Sequence, residues 1–354
     1  MSAATEDALA EKRPQMPEKY TWLRKADSLQ EGCCVSLCVP TSAIDEARSK
    51  MAEGDPEDDP EDSVVDAVLK RVVAIKIPGK DSKQPTMHHE ARVLDDIRRQ
   101  AYPRSGGAHC IELLDHYDMD AMDRGEPGWL VMASSSVCCD LDALYNFDIG
   151  NKLEKALLWL MIAHVYEAVY FLHRNCDPPI THGDITFEAI LVSCPYEKGK
   201  NGKSAIAKRP KISLISFSES EMHDPNGSPD DVGRKARAEE EDVENLDSAI
   251  QRLVKRCYEG YEQGFVGKGK ATYSITKKVW KDDTPEEVKR FMAKDVQGLN
   301  GLWADIGKFA KEQLEDVSDE EWEELRDSII EVTESEGKLS DIVTDLLKGQ
   351  PVED

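Results

Sequence analysis

The sequence lacks three features that would each place it in a class of protein. No Cys-x-x-Cys pair occurs among its nine cysteines, and only His88 and His89 lie close together among its histidines, so zinc-ligand spacing is missing. No uninterrupted apolar run approaches the ~20 residues of a membrane-spanning helix. Basic residues are few, because 45 Lys and Arg stand against 70 Asp and Glu, for a net charge of -25. Repulsion from phosphate backbones therefore argues against nucleic acid as a partner.

The N-terminus also lacks an apolar stretch of the signal-peptide kind. Residues 1–20 are polar and are predicted to form a flexible tail. The odd number of cysteines, which occur singly or as adjacent pairs such as Cys138-Cys139, is typical of reduced thiols. We therefore expect a cytoplasmic or nuclear protein that has no membrane partner and binds other proteins.

Hydrophobic patterns along the 354 residues predict a small β-rich part followed by a helical part, which is an α+β fold. A β-branched run at 72–77 predicts a buried strand, and an apolar stripe over about 153–173 predicts a long helix. The segment 53–62 alternates acidic residues with proline and is predicted to be a solvated loop. The polar segment 218–241 is predicted to be a mobile loop, and the chain after residue 257 is predicted to be helical.

These elements divide the chain into three predicted regions. They are a tail over 1–20, an N-terminal lobe over 21–135 with an acidic insertion over 43–64, and a C-terminal lobe over 136–354. Near the end, Ser318-Asp319-Glu320-Glu321 is typical of a capping box. The acidic helix that follows is interpreted as a solvent face around a core stripe, with a partner-binding groove as the alternative. The stripe consists of Trp322, Leu325 and Ile329.

One ordered series of polar residues carries candidate chemistry. Lys76 lies in a predicted strand, Glu90 in the next predicted helix, and Asp184 in a loop after the long helix. Phosphoryl transfer to a hydroxyl uses such a set. A strand lysine holds the phosphates, a helix glutamate orients that lysine, and a loop aspartate accepts the hydroxyl proton.

Six segments carry motifs of one family, namely VAIK at 73–76, EARVL at 90–94, WLVMA at 129–133, HGDITFEAIL at 182–191, LISFS at 214–218 and DVENL at 242–246. On these motifs the sequence resembles the protein kinase superfamily from Trp22 to Cys257. The resemblance implies a bilobal fold with a β-rich N-terminal lobe, a helical C-terminal lobe and ATP as the candidate ligand. It pairs Lys76 with Glu90, puts Met132 at the gatekeeper position and puts Asp184 at the base position.

The resemblance also implies which residues would contact a nucleotide and which would pack the lobes together. Ligand-binding positions fall on Gly32, Leu37, Ala74, Lys76, Met132 and Leu191. Packing positions between the lobes fall on Leu94, Leu113, His182 and Phe217.

Two departures from the family pattern affect the metal. Ala189 stands where asparagine is expected, and Ser216 stands where the metal-binding aspartate is expected. A methyl group cannot coordinate a cation, and a neutral hydroxyl is a weaker ligand for Mg²⁺ than a carboxylate. Phosphoryl transfer depends on that metal, so these changes argue against magnesium binding and against transfer. Rescue by Glu188 or Glu219 would need a rearranged turn.

Other departures reduce the phosphate-binding and activation machinery. Only Gly32 remains of the glycine-rich turn, and Gly183 replaces the arginine before Asp184. The main hypothesis is therefore a pseudokinase, a regulatory or scaffolding module that has lost phosphotransfer but can bind ATP without metal. In that case Asp184 is not a working base.

Three alternatives stay open. A divergent active kinase would transfer phosphate to Ser or Thr with Lys76, Glu90 and Asp184 and an unconventional metal site. A small-molecule kinase would explain the His-Gly-Asp form of the loop. An interaction protein without a nucleotide pocket would use Lys76 and Glu90 as a structural pair only.

Overall fold

The computed structural model describes residues 17–26, 33–53, 61–78, 84–101, 106–117, 128–147, 151–198, 204–268, 271–293, 301–334 and 338–350. Its first part is an antiparallel sheet with associated helices. The elements are β1 (Tyr20–Lys25), β2 (Cys33–Pro40), α1 (Thr41–Glu53), α2 (Glu61–Leu69), β3 (Val73–Pro78), α3 (Gln84–Ala101), β4 (Leu113–His116) and β5 (Leu130–Ala133). The strands are ordered β1-β2-β3-β5-β4, and each neighbouring pair is antiparallel.

The second part is mostly helical, with short strands between the helices. The elements are β6 (Cys138–Asp140), α4 (Leu141–Asn146), α5 (Asn151–Tyr170), β7 (Ile180–Thr181), β8 (Ile190–Ser193), β9 (Tyr196–Lys198), β10 (Ser204–Ile206), β11 (Lys211–Leu214), β12 (Glu221–Met222), α6 (Pro229–Tyr258), β13 (Glu259–Lys268), β14 (Ala271–Trp280), α7 (Glu286–Met292), α8 (Gly301–Glu315), α9 (Asp319–Glu334) and α10 (Leu339–Leu347). Strands β6, β8 and β11 form one sheet in the order β11-β8-β6.

This arrangement confirms the predicted α+β fold class, with a small antiparallel-sheet region before a helical part. The strand β5 ends the first sheet at Ala133, and β6 begins the next sheet at Cys138. The predicted region boundaries at residues 20 and 135 stay predictions.

Helix α5 lies at the centre of the helical part. It packs against α6, α8 and β11, and most of its apolar side chains are buried. One segment, Glu154–Asn175, is long and apolar enough to cross a membrane by length and composition alone. Of its most apolar stretch, 78% is buried inside the protein, which is also what a core helix shows.

The predicted acidic insertion over 43–64 is largely helical. Helix α1 runs to Glu53, and α2 begins at Glu61, inside the segment predicted to be a loop. Ile44 and Val65 are buried, because α1 and α2 pack on each other and on α10. The loop prediction is therefore wrong at Glu53, Glu61 and Asp62, which are helical, and residues 54–60 lie outside the described part of the chain.

The prediction of a mobile loop over 218–241 is wrong from Pro229 onward. Helix α6 begins there, and a capping box precedes it, in which the Ser228 hydroxyl accepts from the Asp231 amide and the Asp231 carboxylate accepts from the Ser228 amide. Ion pairs one turn apart on the helix, such as Lys235 with Glu239, support this half of the helix. The low apolar content reflects a solvent-exposed helix, and the capping residues were its sequence signal.

The prediction of helix throughout the chain after residue 257 is also wrong. Strands β13 and β14 form a hairpin whose register runs from Glu259 opposite Trp280 to Lys268 opposite Ala271. The segment 271–280 contains Thr, Tyr, Ile, Val and Trp, residue types that favour strands.

Candidate functional site

A buried ion pair joins the first sheet to helix α3. Lys76 lies in β3, opposite Val35 of β2 and Leu130 of β5, so strands flank it on both sides. Its Nζ is 2.7 Å from Oε2 of Glu90, and the two side chains are 3% and 1% exposed. The other carboxylate oxygen of Glu90 accepts the backbone N–H of Phe217 at 3.1 Å. Glu90 therefore links the sheet, α3 and the segment that follows β11.

A cavity of about 320 Å³ opens beside this pair. This volume is near the lower end for small-molecule sites. The structure brings five of the six predicted ligand-binding residues to its wall, namely Leu37, Ala74, Lys76, Met132 and Leu191. The sixth, Gly32, lies outside the described residues. That these side chains contact a ligand stays a prediction.

Several residues of the cavity wall were missed by the sequence interpretation. They come from elements far apart in the chain, and no local pattern brings them together. Arg24 of β1 and Thr333 of α9, for example, are separated by 309 positions and share a hydrogen bond. The missed wall residues include Arg24, Ile111, Cys139, Asp140, Phe147 and Thr333.

The loop that carries Asp184 follows β7 and is held through its backbone. Burial lowers the pKa of His182, so the ring is neutral. Its Nε2 donates to the Ile215 carbonyl at 2.8 Å, and its Nδ1 accepts the Asp184 amide at 3.3 Å. The Asp184 side chain is half-buried and does not line the cavity that Lys76 lines.

Asp242, at the middle of α6, anchors the same loop. Its carboxylate accepts the amides of His182 and Gly183, both at 2.7 Å, and lies 2.8 Å from Nε2 of His173. Burial alone would raise the pKa of Asp242, but the hydrogen bonds from the His173 ring and the His182 amide hold the pKa below its ordinary value. The loop position is therefore set by an ionised carboxylate in the core.

Gly183 is required by the backbone of this loop. Its φ is +81°, in the left-handed region, and an added Cβ would overlap the carbonyl oxygen of Glu219. A side chain in this conformation costs about 1–2 kcal/mol before any clash is counted. The glycine at the position where the resemblance expects arginine therefore fits the fold of this chain.

We expect Gly183→Arg to lower the free energy of unfolding by about 2–3 kcal/mol, measured by urea denaturation, because it adds strain and overlap to a fixed turn. Gly233→Arg is the matched control. Gly233 is exposed in α6, and an added Cβ there meets nothing within 4 Å. That variant should gain about 0.5–1 kcal/mol. Equal stability of the two variants would contradict the loop conformation.

The two positions expected to bind a metal carry no charged side chain. Ala189 is 2% exposed and offers only a methyl group, while Ser216, with φ of 69°, offers one neutral hydroxyl at the cavity wall. The nearby carboxylates of Glu188 and Glu219 belong to exposed residues. Within the described part of the chain, no group of three His, Cys, Asp or Glu side chains is placed to hold a metal. These residues do not fit a divalent cation.

The predicted packing positions between the two parts are buried. The His182 and Phe217 rings meet edge to face, with centroids 4.7 Å apart. All four residues of the set are 1% exposed or less, namely Leu94, Leu113, His182 and Phe217. The predicted packing positions thus carry residues that suit a core, whereas the two predicted metal positions carry no charged ligand.

Comparison with known proteins adds a distant structural likeness. No protein-family model matches the chain, and no curated protein matches it. Solved structures that match include the crystal structure of a Plasmodium kinase domain, at 15% identity and a TM-score of 0.40. The match covers 68% of this chain and 66% of the other, so this chain spans just under two thirds of that structure's length. A likeness of this size carries no conclusion about activity or site residues.

Proposed function

We propose that this chain is a kinase-like protein that has lost phosphotransfer and acts as a regulatory or scaffolding module, a pseudokinase. One observation carries the proposal. Ala189 and Ser216 occupy the two expected metal-ligand positions, while the Lys76–Glu90 ion pair is formed. Phosphoryl transfer needs the charge of a bound metal in the transition state. A site that keeps its lysine and its packing but has no metal ligand is suited to binding rather than to chemistry.

The second part of the proposal is that the cavity binds ATP without a divalent cation. Leu37, Ala74 and Leu191 give it apolar walls of the kind that accept a planar base. Lys76 lies at the same cavity and supplies a positive charge for a phosphate oxygen. With no cation to neutralise the triphosphate, this lysine would provide the main electrostatic attraction.

The proposed partners are other proteins in the cytoplasm or nucleus. The net charge of -25 repels nucleic acids and favours basic protein surfaces. A regulatory module without chemistry acts through the surface that it presents to such proteins.

A divergent active kinase is the second candidate. The Lys76–Glu90 ion pair favours it, since active kinases need this pair to be formed. This candidate would use Asp184 as the base and bind its metal with ligands other than residues 189 and 216.

The experiment that tests the proposal measures thermal stabilisation by ATP, once with magnesium and once with EDTA, and phosphate transfer from radiolabelled ATP. We expect the same rise in melting temperature under both conditions and no transfer. At an ATP concentration of 100 times Kd, the stabilisation would be about 2.7 kcal/mol.

Transfer that is lost in the Asp184→Asn variant would overturn the proposal in favour of the active kinase. Stabilisation that needs magnesium would overturn the metal-free binding. No stabilisation under either condition would leave a scaffold without a nucleotide site.

A further inference from the structure

The C-terminal helix α9 is built into the core rather than left on the surface. Its capping box forms as the sequence predicts, with the Ser318 hydroxyl accepting the Glu321 amide and the Glu321 carboxylate accepting the Ser318 amide. The stripe of Trp322, Leu325 and Ile329 is 1% exposed or less and packs in the main core cluster. Its apolar face is thus already covered by the chain itself.

The last turn of α9 reaches the cavity. Val332 and Thr333 line it, and Thr333 is 5% exposed. The Thr333 hydroxyl donates to the Ile329 carbonyl of its own helix at 2.7 Å and lies 3.2 Å from the carbonyl of Cys138 in β6. The guanidinium of Arg24 in β1 donates to the Thr333 carbonyl at 3.1 Å. The end of the helix is therefore bonded to the first sheet and packs against the strand that leads into α4.

Helix α10 lies further along the chain and packs on the first part of the protein. Its buried residues Leu339 and Val343 belong to the main core cluster, and α10 packs on α1, α2 and β1. Arg48 of α1 donates to the Leu346 carbonyl at 2.6 Å. Because α9 packs on α5 and β6 and its last turn accepts a hydrogen bond from Arg24 of the first sheet, this turn is held between the two parts of the protein.

We propose that Val332 and Thr333 are ligand-contacting residues that limit the size of ligand the cavity accepts. This inference rests on the proposed function for the choice of nucleotide as ligand. Both residues line the cavity, and there Val332 is partly exposed whereas Thr333 is buried. A larger side chain at Val332 would extend into the cavity, whereas the preceding residue, Glu331, is exposed on the helix.

The test compares Val332→Trp with the matched control Glu331→Trp. Both add an indole to the same helical turn, one at the cavity wall and one on the exposed surface. ATP binding is measured by calorimetry in the presence of EDTA. We expect Val332→Trp to weaken binding at least tenfold and Glu331→Trp to leave it within twofold of wild type. Equal binding by the two variants would overturn the inference and leave the proposed nucleotide site intact.

A second readout does not depend on nucleotide. Cys138 and Cys139 line the cavity and are partly exposed, whereas Cys34 is partly exposed outside it. Alkylation by iodoacetamide, followed by peptide mass spectrometry, should slow at least threefold at Cys138 and Cys139 in Val332→Trp and stay unchanged at Cys34.

If wild type binds no nucleotide, the proposed binding fails and the alkylation rates decide the inference alone. Unchanged rates at Cys138 and Cys139 would then overturn it, and slower rates would support it. Val332→Phe, a smaller change with the same expected direction, replaces Val332→Trp in both measurements if the tryptophan variant does not fold.

Discussion

Replacing Asp242 with alanine is expected to lower the free energy of unfolding by about 3–5 kcal/mol. The carboxylate is fully buried and accepts from the amides of His182 and Gly183 and from the His173 ring. Alanine leaves these donors buried without an acceptor, and each orphaned donor costs about 1–3 kcal/mol. Urea denaturation followed by circular dichroism measures the loss.

Two variants and a pH series sharpen this prediction. Glu244→Ala, on the exposed side of α6, should stay within about 0.5 kcal/mol of wild type. Asp242→Asn keeps one oxygen acceptor and should lose less stability than Asp242→Ala.

Because the folded-state pKa of Asp242 is lowered, its contribution to the free energy of unfolding is present above the unfolded-state pKa of about 3.9. The stability contributed by Asp242 is therefore lost as pH falls through the lower, folded-state pKa. The difference between wild type and Asp242→Ala should be constant above pH 5 and should narrow below pH 4. A difference that stays constant down to pH 2 would contradict an ionised, hydrogen-bonded Asp242.

The parts of the fold that the sequence predicts correctly are those with a strong local pattern. The β-branched run at 72–77 lies in a strand that is buried on both faces, and the apolar stripe at 153–173 lies in a helix whose apolar side chains are mostly buried. In both cases the residue pattern that determines the element is contained within the element itself.

The elements that the sequence interpretation missed are stabilised by features other than apolar periodicity. The first half of α6 is polar and depends on the capping box at Ser228 and on surface ion pairs. The helix α2 begins inside an acidic, proline-containing segment, where net charge suggested solvation. Capping residues outweigh low hydrophobicity at the end of a helix, since they satisfy amides that have no other partner.

The candidate site was predictable only where its residues lie in motifs. Lys76, Glu90 and Asp242 stand in recognisable segments, and the structure places each of them in a buried network. Arg24 and Thr333 reach the cavity through tertiary packing of β1 and α9. Nothing in the sequence of β1 or α9 alone indicates that Arg24 and Thr333 line the same cavity. The two residues come together only because α9 packs close to the first sheet in the folded protein.

Replacing Lys76 with methionine is expected to remove both stability and nucleotide binding. The side chains are similar in length, so packing is kept while Glu90 is left as a buried carboxylate without the lysine. We expect a loss of about 3–5 kcal/mol in the free energy of unfolding, measured by urea denaturation. Lys50→Met, at an exposed position in α1, should have no measurable effect.

A double variant separates the structural effect from the binding effect. Adding Glu90→Gln to Lys76→Met removes the stranded charge, and the amide oxygen can still accept the Phe217 N–H. We expect it to regain about 2 kcal/mol relative to Lys76→Met, since replacing both members of a buried pair costs less than breaking it. The double variant should nevertheless show no thermal stabilisation by ATP, because the cavity then has no lysine for a phosphate oxygen. A double variant that regains stability and still binds ATP like wild type would leave Lys76 a structural residue only, and the nucleotide would have to bind elsewhere.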